Sequence, residues 1–211
     1  MIALIDYGAG NLTSVRKAFE ALGADLVVPS TPADLADAAG IVVPGVGHFG
    51  ATKALNGDWI EAILARIGEG RPLLGICLGM QWLFEASDEA PDCAGLGLMT
   101  GRCYRLGQRE RPPMPNGSRV KVPHVGWNAL DLRRDAPIVE GVTPGAQVYF
   151  THSFVAPVTA DAVATTEHGE PFAAVVQRGQ VAGVQFHPEK SGEVGLRILR
   201  NWLGLCVGIR D

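Results

Sequence analysis

The chain contains no apolar run near the roughly 20 residues that would cross a bilayer, and its first residues lack a basic segment followed by a signal-type apolar stretch. A membrane or export role is not expected, and a cytoplasmic location is. Aromatic residues are scarce at 7%. The one basic-rich stretch, 102–121, holds no aromatic beyond Tyr104, so a base-stacking surface for single-stranded nucleic acid finds no support. Its six basic residues against the single acid Glu110 are expected to form a solvated loop. Within it, residues 107–118 are rich in proline, glycine and charge, the pattern of an exposed connection. Eighteen Lys and Arg against 22 Asp and Glu give a net charge of −4, too mild to call for nucleic acid or an anionic membrane as partner. The four cysteines, at 77, 93, 103 and 206, form no Cys-x-x-Cys pair and no zinc-like spacing with histidine. Neither a metal nor a cofactor is expected, and Cys93, Cys103 and Cys206 are read as free thiols in a reducing compartment. There is no internal repeat and no low-complexity linker. With 211 residues, 47% of them apolar, the chain can bury one sizeable core, and residues 1–211 are expected to form a single domain.

What is present is an alternation of short apolar runs with helical periodicity. Residues 1–5 form a continuous apolar strand ending in Asp6 and a glycine-rich turn, and Leu12, Val15, Phe19 and Leu22 follow at helical spacing. Strands are expected at 26–28 and 41–43 with a short helix over 32–38 between them, then an amphipathic helix on Trp59, Ile60, Ile63, Leu64 and Ile67, and a strand over 73–76. Such alternation implies an α/β fold with an open, mostly parallel twisted sheet flanked by helices. A helix beginning near Leu78 is expected to run to about Ser87. Strands over 95–105, 119–122, 128–132 and 147–151 then build an antiparallel extension. A closing meander at 163–166, 172–177 and 180–186 and a final helix over 191–203 complete the chain.

The stretch whose pattern points most directly to chemistry is Gly75-Ile76-Cys77-Leu78-Gly79, a strand, a sharp turn and a helix start. A nucleophile at such an elbow needs small neighbours two positions to either side, and Gly75 and Gly79 supply them. The helix that follows aims unpaired N–H groups at the sulfur, favouring the thiolate. A bland reading, a cysteine serving as a small core residue, stands beside it. The second constellation is Gly183-Val184-Gln185-Phe186-His187-Pro188-Glu189. Pro188 biases His187 toward extended backbone, where positions i and i+2 share a side, so Glu189 can orient the imidazole of His187. Cys77, His187 and Glu189 together make a nucleophile, a base and an orienter. Gly45-Val46-Gly47-His48-Phe49-Gly50 matches the dinucleotide pattern G-x-G-x-x-G, but the acidic residue needed about 20 positions on has no counterpart, because Glu69 lies in a polar turn. The other use of these glycines is to turn backbone N–H groups toward a developing oxyanion. His48, His124 and His168 fall in loops or near turns and are expected to be structural or surface groups.

With G-I-C-L-G-M-Q, Pro44-Gly45-Val46-Gly47 and G-V-Q-F-H-P-E in this order, the chain resembles the class I, triad-type glutamine amidotransferases. Asp6-Tyr7-Gly8-Ala9-Gly10-Asn11-Leu12, P-G-V-G-H-F-G, Pro123-His124-Val125-Gly126-Trp127-Asn128 and H-P-E-K-S narrow the resemblance to the glutaminase subunits of imidazole glycerol phosphate synthase, over nearly the whole chain. The resemblance implies a flavodoxin-like sheet and hydrolysis of glutamine through a cysteine thioester. It implies an oxyanion hole from the N–H groups of Val46, Gly47 and Leu78, and glutamine contacts from Gln81, Thr151, His152 and Ser153. It also implies ammonia transfer to a separate (β/α)₈ cyclase subunit in a heterodimer, with Asn11, Trp127 and Lys190 as interface candidates. The chain departs from the family pattern in the length of 107–118 and in Phe154, where tyrosine is frequent. A glutaminase subunit of another amidotransferase, a free-standing γ-glutamyl hydrolase and a non-catalytic regulatory module on the same scaffold are the alternatives.

Overall fold

A computed structural model of the protein describes residues 1–55, 57–108 and 120–207. From residue 109 on, the expected exposed loop over 107–118 lies outside the described residues. The strands in chain order are β1 (Ile2–Leu4), β2 (Leu26–Val27), β3 (Gly40–Gly45), β4 (Leu73–Cys77), β5 (Ala86–Ser87), β6 (Arg102–Arg105), β7 (His124–Ala129), β8 (Asp131–Leu132), β9 (Gln147–His152), β10 (Phe154–Val155), β11 (Ala162–Glu167), β12 (Pro171–Arg178) and β13 (Val181–Val184). The helices are α1 (Leu12–Glu20), α2 (Gly57–Gly68), α3 (Leu78–Trp82) and α4 (Gly192–Val207), with short 3-10 turns at Pro32–Leu35, Phe49–Ala54, Pro137–Val139 and Pro188–Lys190. Among the described residues no helix is long and apolar enough to cross a membrane.

One eight-stranded sheet organises the molecule in the order β2-β1-β3-β4-β13-β12-β11-β8. The first five strands are mutually parallel and the last three join antiparallel. The parallel part has the 2-1-3-4-5 order of flavodoxin-like sheets, in which ligands sit beyond the carboxyl ends of the strands. Period-two alternation sorts the side chains. Ile2, Leu4, Val42 and Leu74 face one core with Phe19 of α1 and Ile198, Leu199 and Trp202 of α4. Ala3, Ile5, Ile41, Val43 and Leu73 face the other with Ile63 of α2 and Met80 of α3. With both faces covered, these strands read as unbroken apolar runs, which is why their positions were legible. The edge-to-face pair of Phe19 and Trp202, 5.8 Å between ring centroids, fixes how α1 meets α4.

The irregular second half differs from expectation in four places. The elbow helix stops at Trp82, not Ser87, because the carbonyls that would extend it are taken by a returning loop. Leu96, Met99 and Gly97 donate their N–H groups to Trp82, Leu83 and Phe84. Gly95 permits that approach, since a Cβ there would overlap the Phe84 carbonyl. As a result residues 95–101 pair irregularly, and the strand expected over 95–105 is only Arg102–Arg105. Residues 120–122 form no strand, the Lys121 carbonyl being bonded by the His168 side chain at 2.6 Å. The strand expected over 128–132 is two strands in two sheets. β7 pairs with β9, the chain crosses over at buried Leu130, and β8 caps the large sheet against β11. The meander and the final helix fall where the pattern placed them.

Candidate active site

Cys77 ends β4 with φ +54° and ψ −106°, a conformation that costs an L-residue about 1–3 kcal/mol and persists only where the surroundings enforce it. The enforcement is steric. A Cβ on Gly75 would meet the Gly79 carbonyl at 2.5 Å, and one on Gly79 would overlap the Val43 carbonyl of β3, so the two glycines let the turn fold back against its own strand and its neighbour. The helix that follows has only five residues, so its dipole contributes less at the sulfur than the longer expected helix would.

The end of β13 carries His187 to the same place. Its Nδ1 lies 2.8 Å from Glu189 Oε1, with both side chains almost fully buried. The loop is clamped to β9: His187 N–H donates to the Tyr149 carbonyl at 2.9 Å, Ser191 Oγ donates to the His187 carbonyl at 2.6 Å, and Tyr149 N–H donates to Ser191 Oγ at 3.0 Å. Burial opposes the charged imidazole, but the adjoining Cys77 sulfur and the Glu189 carboxylate outweigh it and hold the His187 pKa well above its ordinary value. Nε2 of His187 has no hydrogen-bond partner among the described residues, so the proton it carries in the charged form is free to pass to a leaving group.

A cleft of about 290 Å³ opens over Cys77, at the lower edge of the roughly 300–1,000 Å³ usual for small-molecule sites. Val46, Gly47, Leu78, Gln81, Thr151, His152 and Ser153, all marked in the sequence, line it together with Cys77. Two of them are not free in the way the pattern suggests. Val46 N–H is donated to the Ala9 carbonyl at 3.1 Å, so in this conformation it is not available to an oxyanion. The His152 ring is 8% exposed and bonded to His124 Nδ1 and to the Phe154 carbonyl, both at 3.1 Å. Burial first, then the neighbouring His124, pushes its pKa down to about 3.

Sequence reasoning missed Glu89, Pro123 and Phe154 in the cleft wall, Tyr7 beside it, and Gln185, whose Nε2 lies 3.6 Å from the Cys77 sulfur. Tyr7, Pro123 and Gln185 lie inside the quoted motifs and Phe154 is a departure from the family pattern, but none was given a role, and Glu89 alone lies outside these stretches. His124, expected near a turn, instead begins β7 and is 4% exposed, stacked on His168 at 4.1 Å between centroids. Burial and then His168 push its pKa down to about 4. His48 is structural, accepting Gly50 N–H at 3.0 Å.

The interface candidates divide. Trp127, 56% exposed, packs edge-on against Tyr149 at 6.1 Å, and Lys190 Nζ lies 5.9 Å from the centre of the same Tyr149 ring. They form one surface cluster around a residue whose backbone carbonyl holds His187. Asn11, by contrast, caps α1, its side chain accepting Ser14 N–H at 3.3 Å, a structural use that needs no partner.

The family model for "Glutamine amidotransferase class-I" matches residues 3–205. Among relatives, the imidazole glycerol phosphate synthase subunit HisH of Natronomonas pharaonis is 45% identical, the match covering 98% of this chain and 95% of that one. The protein of the same name from Geobacillus kaustophilus is 46% identical, over 99% and 98%. Among solved structures, one titled "Structure of PurLQS from Thermotoga maritima" superposes with a TM-score of 0.73 at 20% identity, over 96% of this chain and 97% of that one. That likeness speaks for the fold.

Proposed function

Because the chain belongs to the class I glutamine amidotransferase family, we propose that it is the glutaminase subunit of imidazole glycerol phosphate synthase, its residues 1–211 acting as one glutaminase domain. The observation that carries the proposal is the strained Cys77 opening into the same cleft as the family-matched substrate residues, with the buried His187–Glu189 pair beside it. Glutamine enters with its side-chain amide over the sulfur, held by Gln81 and by the backbone and small polar groups of Thr151, His152 and Ser153. The Cys77 thiolate attacks the amide carbon. The tetrahedral oxyanion is met by the N–H groups of Gly47 and Leu78, and by that of Val46 once it leaves Ala9. That release requires the peptide between Gly45 and Val46 to turn, which the absence of a side chain at 45 eases. His187 gives its proton to the departing ammonia and a thioester remains. A water deprotonated by His187 then attacks the thioester and expels the sulfur as thiolate. This restores the thiolate and the protonated His187, while the new carboxyl group loses its proton to solvent as glutamate.

Ammonia is largely protonated near neutral pH and diffuses away, so the product needs a recipient. A (β/α)₈ cyclase subunit docked on the Trp127–Tyr149–Lys190 face would receive it and make imidazole glycerol phosphate and an aminoimidazole carboxamide ribotide in histidine biosynthesis. The close relatives named as HisH subunits support this reading. Cys77→Ala is expected to abolish glutamate release from glutamine while leaving the fold intact by circular dichroism. Substantial turnover by a clean preparation of that variant would refute the nucleophile assignment.

A further inference from the structure

Gln185 is fully buried immediately after β13, a position where an apolar side chain would pack without the desolvation cost of an amide. Its hydrogen bonds are fixed in direction by a chain of neighbours that begins at one acceptor. The Phe154 carbonyl can only accept, so Gln81 must present its amide N–H₂ there, at 2.9 Å. The second N–H of Gln81 goes to Gln185 Oε1 at 3.1 Å. That leaves the N–H₂ group of Gln185 for the Cys77 sulfur, 3.6 Å away, an ordinary separation for so large an acceptor atom.

The same carbonyl fixes the histidines. His152 must carry its proton on Nδ1 to donate to Phe154, so its Nε2 accepts from His124 Nδ1–H at 3.1 Å, and His124 Nε2 accepts from Asn128 Nδ2–H at 3.4 Å. Asn128 is itself anchored, donating to the Glu167 carbonyl at 2.8 Å. A directed network thus runs from half-buried Asn128 of β7 to the nucleophile. Burial keeps His124 and His152 neutral near pH 7, and the sulfur at its end is the group whose charge changes during the proposed reaction.

We infer that Gln185 acts directly in the proposed reaction, donating a hydrogen bond that stabilises the Cys77 thiolate and holds the sulfur at the elbow, with Gln81 keeping its amide in the donating orientation. This inference rests on Cys77 being the nucleophile. A neutral thiol is a weak acceptor, whereas a thiolate accepts a charge-assisted bond, so the contact favours the charged form. Unlike His187, the amide exchanges no proton with substrate; its grip is strongest on the free thiolate and weakens while the sulfur is held in the thioester.

The test is iodoacetamide alkylation of the full chain across pH, with modification at Cys77 followed by mass spectrometry, in wild type, Gln185→Met and Gln185→Glu, beside glutaminase kinetics. Gln185→Met keeps the bulk and removes the donor. It is expected to raise the half-maximal pH of alkylation by about one unit, which slows the reaction roughly tenfold below that midpoint, and to lower kcat far more than it changes KM. Gln185→Glu is expected to raise the midpoint further, its carboxylate opposing the thiolate, and decides the matter should the Met variant not fold. An unchanged midpoint in the folded variants would overturn the inference, because a purely structural role would not move it. Full alkylation of Cys77 in the wild type that left glutaminase activity intact would instead remove the nucleophile assignment beneath it.

Discussion

At the scale of the residue, the site depends on groups held in states they would not adopt alone. Cys77 sits at positive φ, and His187 is held charged by its neighbours against the cost of burial. Glu189 reaches His187 through one oxygen at 2.8 Å, and the role proposed for it is to orient the ring and stabilise the imidazolium. Glu189→Gln keeps the shape and removes the charge. It is expected to lower kcat by roughly 10²-fold, the low end of what acid–base catalysis supplies, with KM for glutamine little changed, and steady-state kinetics of the two proteins checks this. A comparable rise in KM with kcat intact would assign Glu189 to binding instead. The proposed triad was legible in the sequence because each member lies next to a residue with a strong local rule: glycines around Cys77, proline between His187 and Glu189. Gln185 stands inside the quoted G-V-Q-F-H-P-E stretch, but its role was not legible, since an amide between apolar neighbours does not announce what it bonds. Its role emerges only where Gln81, 104 positions away, comes to 3.1 Å.

At the scale of the element, sequence periodicity located the parallel strands and the long helices but not the ends of the elbow helix. Continuous apolar runs such as Ile41-Val42-Val43 are buried on both faces and admit no other use, whereas the residues after Trp82 keep helical periodicity yet give their carbonyls to residues 96–99. The deciding residue is Gly95, beside the Phe84 carbonyl, and nothing in its own neighbourhood announces a contact eleven positions back. Gly95→Ala must push the two segments apart. The expected cost is about 1–3 kcal/mol, as for other overpacked sites, or a fall in Tm of roughly 3–10 °C for a chain of this length. Thermal unfolding by circular dichroism measures it, and an unchanged Tm would show that the loop does not terminate the helix. The strand expected over 128–132 failed for a related reason: one apolar run served two sheets, and only the crossing at Leu130 separates them.

At the scale of the molecule, buried histidines give stability a maximum near neutral pH. His124 and His152, with values near 4 and 3, are neutral in the folded chain and gain a proton on unfolding below about pH 6.5. Their contribution is therefore present above that pH and lost as pH falls toward the folded values, by at most about 1.4 kcal/mol per unit for each. His187 is shifted the other way, so its contribution is present below about pH 6.5 and lost as pH rises through its folded value. Urea unfolding between pH 4 and 10 should show stability falling on both sides of neutrality. In His124→Gln the acid limb should flatten, and an acid limb as steep as in the wild type would count against this assignment.

The Tyr149–His187 backbone bond joins the exposed Trp127–Tyr149–Lys190 face to the proposed catalytic residues, and Val46 N–H is held by Ala9 in the chain alone. A subunit built this way should be slow until a partner shifts it. The measurement that tests this most directly is glutamate release from glutamine by the chain alone, then with the cyclase subunit and its nucleotide substrate added. A large rise on addition is the predicted result. High activity alone with no rise would contradict it and point to a free-standing γ-glutamyl hydrolase or another partner.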